Sequence, residues 1–231
     1  MAVPELDVAI GVLFIFASPS VKVPTMTPAL QRVVWTLPVA FGLWAFTFAL
    51  PQGNFWVKLS ISACLLALAG LRWSWDERAS LFHVKGRYLW LGPLTAFLLY
   101  GIFWLGREVS TFLLPFASGD ISRVYLSKAQ LHPVAIGLLL LFVIGPAEEI
   151  YWHGFVQRAL GKKFGATGGL LITTGIYTLV HVSALNAILV AAAAICGLFW
   201  GWLYQREQNL IPVILSHSIW DLTIFVIVPL A

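Results

Sequence analysis

Long apolar runs separated by short polar segments recur along the whole chain of 231 residues. Each run is long enough for a membrane-spanning helix, which needs about 20 residues at a rise of 1.5 Å per residue. The runs are continuously apolar and do not alternate, so they predict helices and not the strands of a membrane barrel. We place seven spans at residues 28–50, 55–72, 88–106, 132–157, 167–185, 187–204 and 211–230.

An eighth apolar segment, residues 6–17, is shorter than these spans. No basic residue precedes it, so it does not resemble a cleaved signal peptide. It is expected to be either an interfacial helix or a further span, and the sequence leaves both open. The predicted fold is therefore an all-α polytopic membrane bundle of about seven helices, or eight if this segment crosses.

The composition supports a membrane protein. Hydrophobic residues make up 60% of the chain and charged residues 10%, with a mean hydropathy of +0.88. A soluble domain has about 45–50% apolar and about 25% charged residues, so a water-soluble globule is excluded. No linker or fixed-period repeat divides the sequence, and we expect residues 1–231 to form a single membrane domain.

The basic residues are divided unequally between the two predicted faces of the membrane. One face receives ten, which are Lys22, Arg32, Arg72, Arg78, Lys85, Arg87, Arg158, Lys162, Lys163 and Arg206. The other receives four, which are Lys58, Arg107, Arg123 and Lys128. Cytoplasmic loops carry the excess of Lys and Arg, so the first face is predicted to be cytoplasmic. This bias explains the net charge of +4 without a nucleic-acid partner.

Three polar clusters lie inside predicted spans after residue 140. They are Glu148-Glu149 with His153, Tyr177 with His181, and His217 with Asp221. An acidic side chain at the centre of a spanning helix costs roughly 2.5–3.5 kcal/mol, so it requires partners, water or a proton. Helical residues four apart share a face, which pairs Glu149 with His153 and His217 with Asp221. The clusters predict a buried reaction or transport site.

One glutamate and two histidines in a partly dry cavity can activate water for attack on a carbonyl. The same three side chains, Glu148, His181 and His217, could instead hold a catalytic zinc, and the sequence leaves the two mechanisms open. Neighbouring positions on a helix differ by about 100°, so the two glutamates cannot point at one spot. We favour Glu148 as the base and expect Glu149 to be a structural acid held by His153.

At these residues the chain resembles the CPBP family, the CAAX proteases and bacteriocin-processing enzymes also called ABI proteins. The motifs of that family are Glu-Glu-x-x-x-Arg, Phe-x-x-x-His and His-x-x-x-Asn or Asp. Matching positions here are Glu148, Glu149, His181, His217 and Asp221. Two positions depart from the pattern, because His153 stands in place of the arginine and Tyr177 in place of the phenylalanine. The second change is expected to be mild, since tyrosine keeps the aromatic body.

The resemblance implies an intramembrane endopeptidase that cleaves membrane-anchored, lipidated or C-terminally tagged proteins or peptides. It implies that Glu148 and His181 activate water, and that His217 and Asp221 hold the oxyanion. Asp221 could orient His217 instead, because a carboxylate is a poor donor. Residues 132–230 would be the catalytic core and residues 1–131 accessory helices, in a prokaryotic inner membrane. Zinc stays an open possibility.

Other functions are also compatible with the sequence. A proton-coupled transporter could use the same Glu and His side chains as a relay. A non-catalytic scaffold that regulates a partner membrane protein would be favoured by the missing arginine at position 153. The tryptophans, including Trp44 and Trp56, are expected near span ends or on lipid-facing surfaces.

Overall fold

The computed structural model describes residues 27–230, so Lys22 and the apolar segment 6–17 lie outside the described residues. Within this range the chain is helical and contains no strand, which confirms the all-α prediction. The helices are α1 (Pro28–Phe48), α2 (Phe55–Ser74), α3 (Tyr88–Leu113), the short α4 (Ala117–Tyr125), α5 (133–157), α6 (Arg158–Val180), α7 (Ala187–Glu207) and α8 (Ile211–Leu222). Without α4, these are the seven predicted helices.

Several helices include irregular turns. In α5, the stretches Leu140–Ile144 and Ile150–Gln157 are π-helical and surround an α-helical segment at Gly145–Glu149. α6 ends in a 3₁₀ turn at His181–Ala184, and α8 continues as a π-helical turn at Thr223–Ile227. π-Bulges occur often at functional sites, and here they flank the glutamate pair.

Five helical segments of the described chain are long and apolar enough to cross a membrane, and Ile211–Ile227 is a shorter apolar helix. One of the five, Pro133–Ala184, has 52 residues. At 1.5 Å per residue it would extend about 78 Å, more than twice the thickness of a bilayer core. It divides at Gly165, whose φ of 77° lies in the left-handed region that glycine favours. The two predicted spans 132–157 and 167–185 lie on either side of this break.

Side-chain caps set the starts of three helices. Thr27 Oγ1 accepts from the amide of Leu30 at 3.3 Å and begins α1. Asn54 caps α2, and Asn186 caps α7 by accepting from the amide of Leu189 at 2.9 Å. Each cap satisfies one of the amides that the first helical turn leaves without a partner.

The loops define two ends of the bundle. The basic end consists of residues 75–87, 158–165 and 208–210, where Glu77 pairs with Arg158 and with Lys162. The other end, here called the α4 end, consists of residues 49–54, 114–132, 185–186 and 228–230. Trp56 Nε1 donates there to the carbonyl of Ser127 at 2.9 Å.

Asp120 ties α4 to the start of α7. Its carboxylate accepts from the amide of Ala187 at 3.0 Å, and it forms an ion pair with Arg123. Burial disfavours the charged carboxylate, but hydrogen bonds from Arg123 and from the first amides of α7 hold the pKa of Asp120 below its ordinary value. An anion at a helix N-terminus is also stabilised by the helix dipole. The polar segment after α3 is thus fixed to the bundle.

Candidate active site

The five predicted catalytic residues all lie buried in one region between α5, α6 and α8. Close helix packing brings α5 against α8. A Cβ on Gly145 would lie 2.5 Å from Ser218 Oγ and 3.2 Å from Ser218 Cα, so only glycine permits this approach. Gly145 is one turn before the glutamates and Ser218 follows His217. The glycine therefore sets the distance between the first and third motifs.

A cavity of about 290 Å³ lies against these residues. Glu148, Tyr177, His181, His217 and Asp221 are part of its lining. Glu149 and His153, by contrast, are buried but do not line it. The two adjacent glutamates therefore occupy different environments, as their separation of about 100° around the helix requires.

Glu148 faces the cavity with one oxygen held in place. The hydroxyl of Tyr177 donates to Glu148 Oε2 at 3.0 Å. Within residues 27–230, Oε1 accepts no side-chain or loop hydrogen bond, so this oxygen can contact a molecule in the cavity. The tyrosine that replaces the motif phenylalanine thus adds a bond to the proposed base. The sequence indicates only that tyrosine keeps the aromatic ring of phenylalanine. It does not predict this contact of the hydroxyl.

Glu149 turns away from the cavity and binds a different histidine from the one expected. His217 Nδ1 lies 2.6 Å from Glu149 Oε1, a strong contact between the first and third motifs. His153 Nε2 is 3.6 Å from Glu149 Oε2, which is beyond hydrogen-bond distance. The predicted pair of His153 with Glu149 is therefore present at ion-pair distance, but it is not a hydrogen bond. His217 is the principal partner, and His153 is only a near neighbour.

The other ring nitrogen of His153 has a closer partner on the same helix. Its Nδ1 lies 2.5 Å from Gln157 Oε1, and Gln157 Nε2 donates to the carbonyl of Gly201 at 2.9 Å. A Cβ on Gly201 would approach His153 Cε1 at 3.3 Å, so α7 packs directly on this pair. His153 therefore joins α5 to α7 beneath the glutamates and does not enter the cavity.

His217 lies between two carboxylates. Besides Glu149 at Nδ1, Asp221 Oδ2 lies 3.4 Å from Nε2. The expected pairing of His217 with Asp221 on one helical face is therefore present. It is the longer of the two contacts. The indole of Trp200 stacks on the imidazole, with ring centroids 3.7 Å apart and planes 18° apart. If both ring nitrogens donate to the carboxylates, the ring is an imidazolium, which an aromatic face stabilises.

His181 uses both ring nitrogens within the protein. Its Nδ1 lies 2.7 Å from the carbonyl of Tyr177, and Trp44 Nε1 donates to its Nε2 at 3.3 Å. Trp44 and Trp56 are each 1% exposed, so neither faces lipid, although Trp56, the second residue of α2, lies at a span end as expected. An indole N–H in a span needs a partner when buried, but the sequence does not indicate which one.

The side chains proposed for zinc do not form a ligand set. Among residues 27–230, no three His, Cys, Asp or Glu side chains are close enough to hold a metal ion. The Nε2 lone pair of His181 faces the indole N–H of Trp44, and both nitrogens of His217 face carboxylates. Zinc needs deprotonated nitrogens directed at one point.

The part of the chain that contains the site matches a known protein family. Residues 130–223 match the family model for type II CAAX prenyl endopeptidase Rce1-like proteins. Over these residues the predicted resemblance to the CAAX proteases is confirmed. The CAAX protease match includes all three motifs, from Glu148 to Asp221, and it supports a CAAX-type intramembrane endopeptidase in general terms. No curated protein and no solved structure matches the chain.

Proposed function

We propose that this protein is an intramembrane endopeptidase in which Glu148 activates the attacking water. The observation that carries the proposal is the buried Glu148 carboxylate, which faces the cavity while Tyr177 fixes its other oxygen. A carboxylate fixed at the cavity wall can accept a proton from a water molecule in the cavity. A general base in this position contributes typically a factor of about 10²–10⁴ to the rate.

Hydrolysis would follow the usual sequence for a peptide bond. Water lies between Glu148 Oε1 and the scissile carbonyl, gives its proton to the carboxylate and adds to the carbonyl carbon. The resulting tetrahedral oxyanion collapses as the C–N bond breaks, and protonated Glu148 returns the proton to the leaving amine. Atoms and charge balance without a further reactant, and Glu148 ends the cycle as a carboxylate.

His217 would stabilise the oxyanion. Its Nδ1–H is held by Glu149 at 2.6 Å, which orients the ring, while the contact of Nε2 with Asp221 is the longer one at 3.4 Å. The longer contact is the easier one to exchange for an oxyanion. Donors fixed before the reaction stabilise developing charge without reorganisation, and losing one costs roughly 2.7–4 kcal/mol. Asp221 then positions His217, because a carboxylate cannot itself donate.

His181 would hold the water beside Glu148. The Trp44 bond to its Nε2 is long, at 3.3 Å, and a water molecule in the cavity can replace it. The Tyr177 carbonyl fixes the tautomer by accepting from Nδ1, so that the Nε2 lone pair is available. In this proposal His181 accepts a hydrogen bond from the water that Glu148 deprotonates.

The proposed catalytic core is residues 132–230, with residues 1–131 as accessory helices of one membrane domain. Phe48, Phe55 and Trp56 support a contribution of the accessory part, because they line the cavity. The substrate is a membrane-anchored, lipidated or C-terminally tagged protein or peptide. The proposed location is a prokaryotic inner membrane. The family match supports the substrate class, and the long apolar helical segments support a membrane location.

The test is proteolysis by purified protein in liposomes. Probes are a farnesylated peptide that ends in a CAAX sequence and membrane-anchored peptides without the lipid. Wild type is compared with Glu148→Ala, His181→Ala and His217→Ala. The control is Glu108→Gln, since Glu108 pairs with Arg107 and does not line the cavity. We expect each site variant to lose at least about 100-fold in rate and the control to keep its activity. Full activity in all three site variants would exclude the mechanism.

A further inference from the structure

The active-site cavity extends toward only one end of the bundle. Its lining includes Phe48 at the end of α1, Phe55 at the start of α2, and Arg123, Ser127 and Asn186 in the α4 end. The lining contains no residue from 60–122, 149–176 or 201–216. The polar mouth of the cavity is therefore at the α4 end, where the side chain of Arg123 is 59% exposed.

The opposite side of the site is closed by packing. Beneath Glu149, the His153–Gln157 pair contacts the backbone of Gly201. A Cβ on Gly154 would meet Leu210 Cδ1 at 2.8 Å, and Leu210 is fully buried. The site is nevertheless nearer to this closed end: Glu148 is about 22 Å along α5 from its start at the α4 end and about 14 Å from Gln157. The shorter distance from Glu148 to the closed end therefore does not determine from which end the cavity is entered.

The charges assign the two ends to faces of the membrane. In residues 27–230, nine basic residues lie on the side of the basic end and four on the side of the α4 end. The connections between spans are short, which is the condition under which the excess of Lys and Arg predicts the cytoplasmic face. Ion pairs join residues 75–87 to Arg158 at the start of α6 and to Glu207 at the end of α7, so these charges share one face.

We infer that the active-site cavity is entered from the non-cytoplasmic side of the membrane. If the proposed function holds, the substrate must present its cleavable bond at that outer face. The expected substrates are exported or membrane-inserted proteins and peptides with an extended segment at the outer face. Proteins anchored only at the cytoplasmic leaflet are not among them. The inference about access itself requires no catalytic activity.

The first experiment determines the orientation of the native chain. Alkaline phosphatase, which is active only outside the cytoplasm, is fused after residue 231, and a fluorescent protein that folds only inside is fused at the same position in a parallel strain. Leu230 lies at the α4 end, where its amide donates to Tyr125. We expect phosphatase activity and no fluorescence. Fluorescence without phosphatase activity, or both signals together, would overturn the inference.

The second experiment measures entry into the cavity with a small, charged, membrane-impermeant thiosulfonate. In a chain with Cys64→Ala and Cys196→Ala, single cysteines are placed at Ala192, which lines the cavity, and at Ala194, which does not. Both positions are half-buried and lie on α7. The thiolate is the reactive form and requires water, so we expect labelling at least about tenfold faster at 192 in intact cells.

The outcomes of the labelling experiment can be separated from those of the protease assay. Labelling of Ala192→Cys only after the cells are permeabilised would overturn outer access. Equal rates at both positions would show that no water-filled cavity reaches α7, which also overturns it. Complete labelling of both variants in denaturant is required as proof that the thiols are intact. Outer access without any proteolysis would instead contradict the proposed function alone.

Discussion

Glu148 and Glu149 are neighbours in the sequence but belong to two different layers of the molecule. Glu148, Tyr177 and His181 form a layer that faces the cavity and leaves a carboxylate oxygen available. Glu149 and His153 belong to a packed layer beneath it, where hydrogen bonds join α5 to α8 and to α7. The upper layer leaves a carboxylate oxygen open to the cavity, whereas in the lower layer Glu149 Oε1 binds His217 across the helices.

This difference gives the glutamate pair a physical explanation. A charge in a spanning helix must find water, a proton or a partner. Glu148 has the cavity and a tyrosine hydroxyl, while Glu149 has the imidazole of His217 at 2.6 Å. Changes in the upper layer should therefore reduce the rate while stability is kept, and changes in the lower layer should reduce both.

Removal of the base is expected to have the largest effect. Glu148→Gln keeps the shape of the side chain and can still accept from Tyr177, but it cannot take a proton. We expect kcat to fall by about 10²–10⁴-fold while thermal unfolding in detergent changes little. A stability loss as large as that of a Glu149 variant would contradict the distinction between the two layers.

Loss of the lower carboxylate should affect stability. Glu149→Ala leaves His217 buried with only the 3.4 Å contact to Asp221, and breaking a buried pair typically costs about 3–5 kcal/mol. Denaturation in detergent measures this cost. A double-mutant cycle with His217→Ala should give a coupling of about 0.5–3 kcal/mol for Glu149, and near zero for Glu148→Gln. Equal coupling for both glutamates would show that the layers are not distinct.

The periodicity and order of residues were sufficient to predict the helices and a contact between neighbours within one helix. Seven apolar runs correspond to the seven helices, and the spacing of four placed Asp221 beside His217. The sequence could not predict contacts that depend on how helices rotate against one another. Glu149 reaches His217 across 68 positions and Trp44 reaches His181 across 137. The rule of four alone favoured His153 for Glu149, but that contact is 3.6 Å long, and the closer partner of Glu149 lies on another helix.

Separating the helices should weaken both layers at once. In Gly145→Ala the new Cβ would lie 2.5 Å from Ser218 Oγ, so α5 and α8 must move apart. Overpacking of this kind costs about 1–3 kcal/mol, and the longer Glu149–His217 distance should reduce kcat as well. Gly101→Ala is the matched control, because nothing lies within 4 Å of its Cβ. Unchanged stability and activity in Gly145→Ala would show that this contact does not set the site geometry.

The smallest effect is expected at the edge of the upper layer. Trp44→Phe removes the indole N–H that occupies His181 Nε2 at 3.3 Å but keeps an aromatic ring between Trp152 and His181. One neutral hydrogen bond contributes about 0.5–1.5 kcal/mol, so we expect less than about a tenfold change in kcat. If water must displace the indole, KM and kcat should separate, with kcat kept or raised. A loss as large as that of His181→Ala would mean that the Trp44 bond itself is required for turnover, and that His181 does not accept a bond from water.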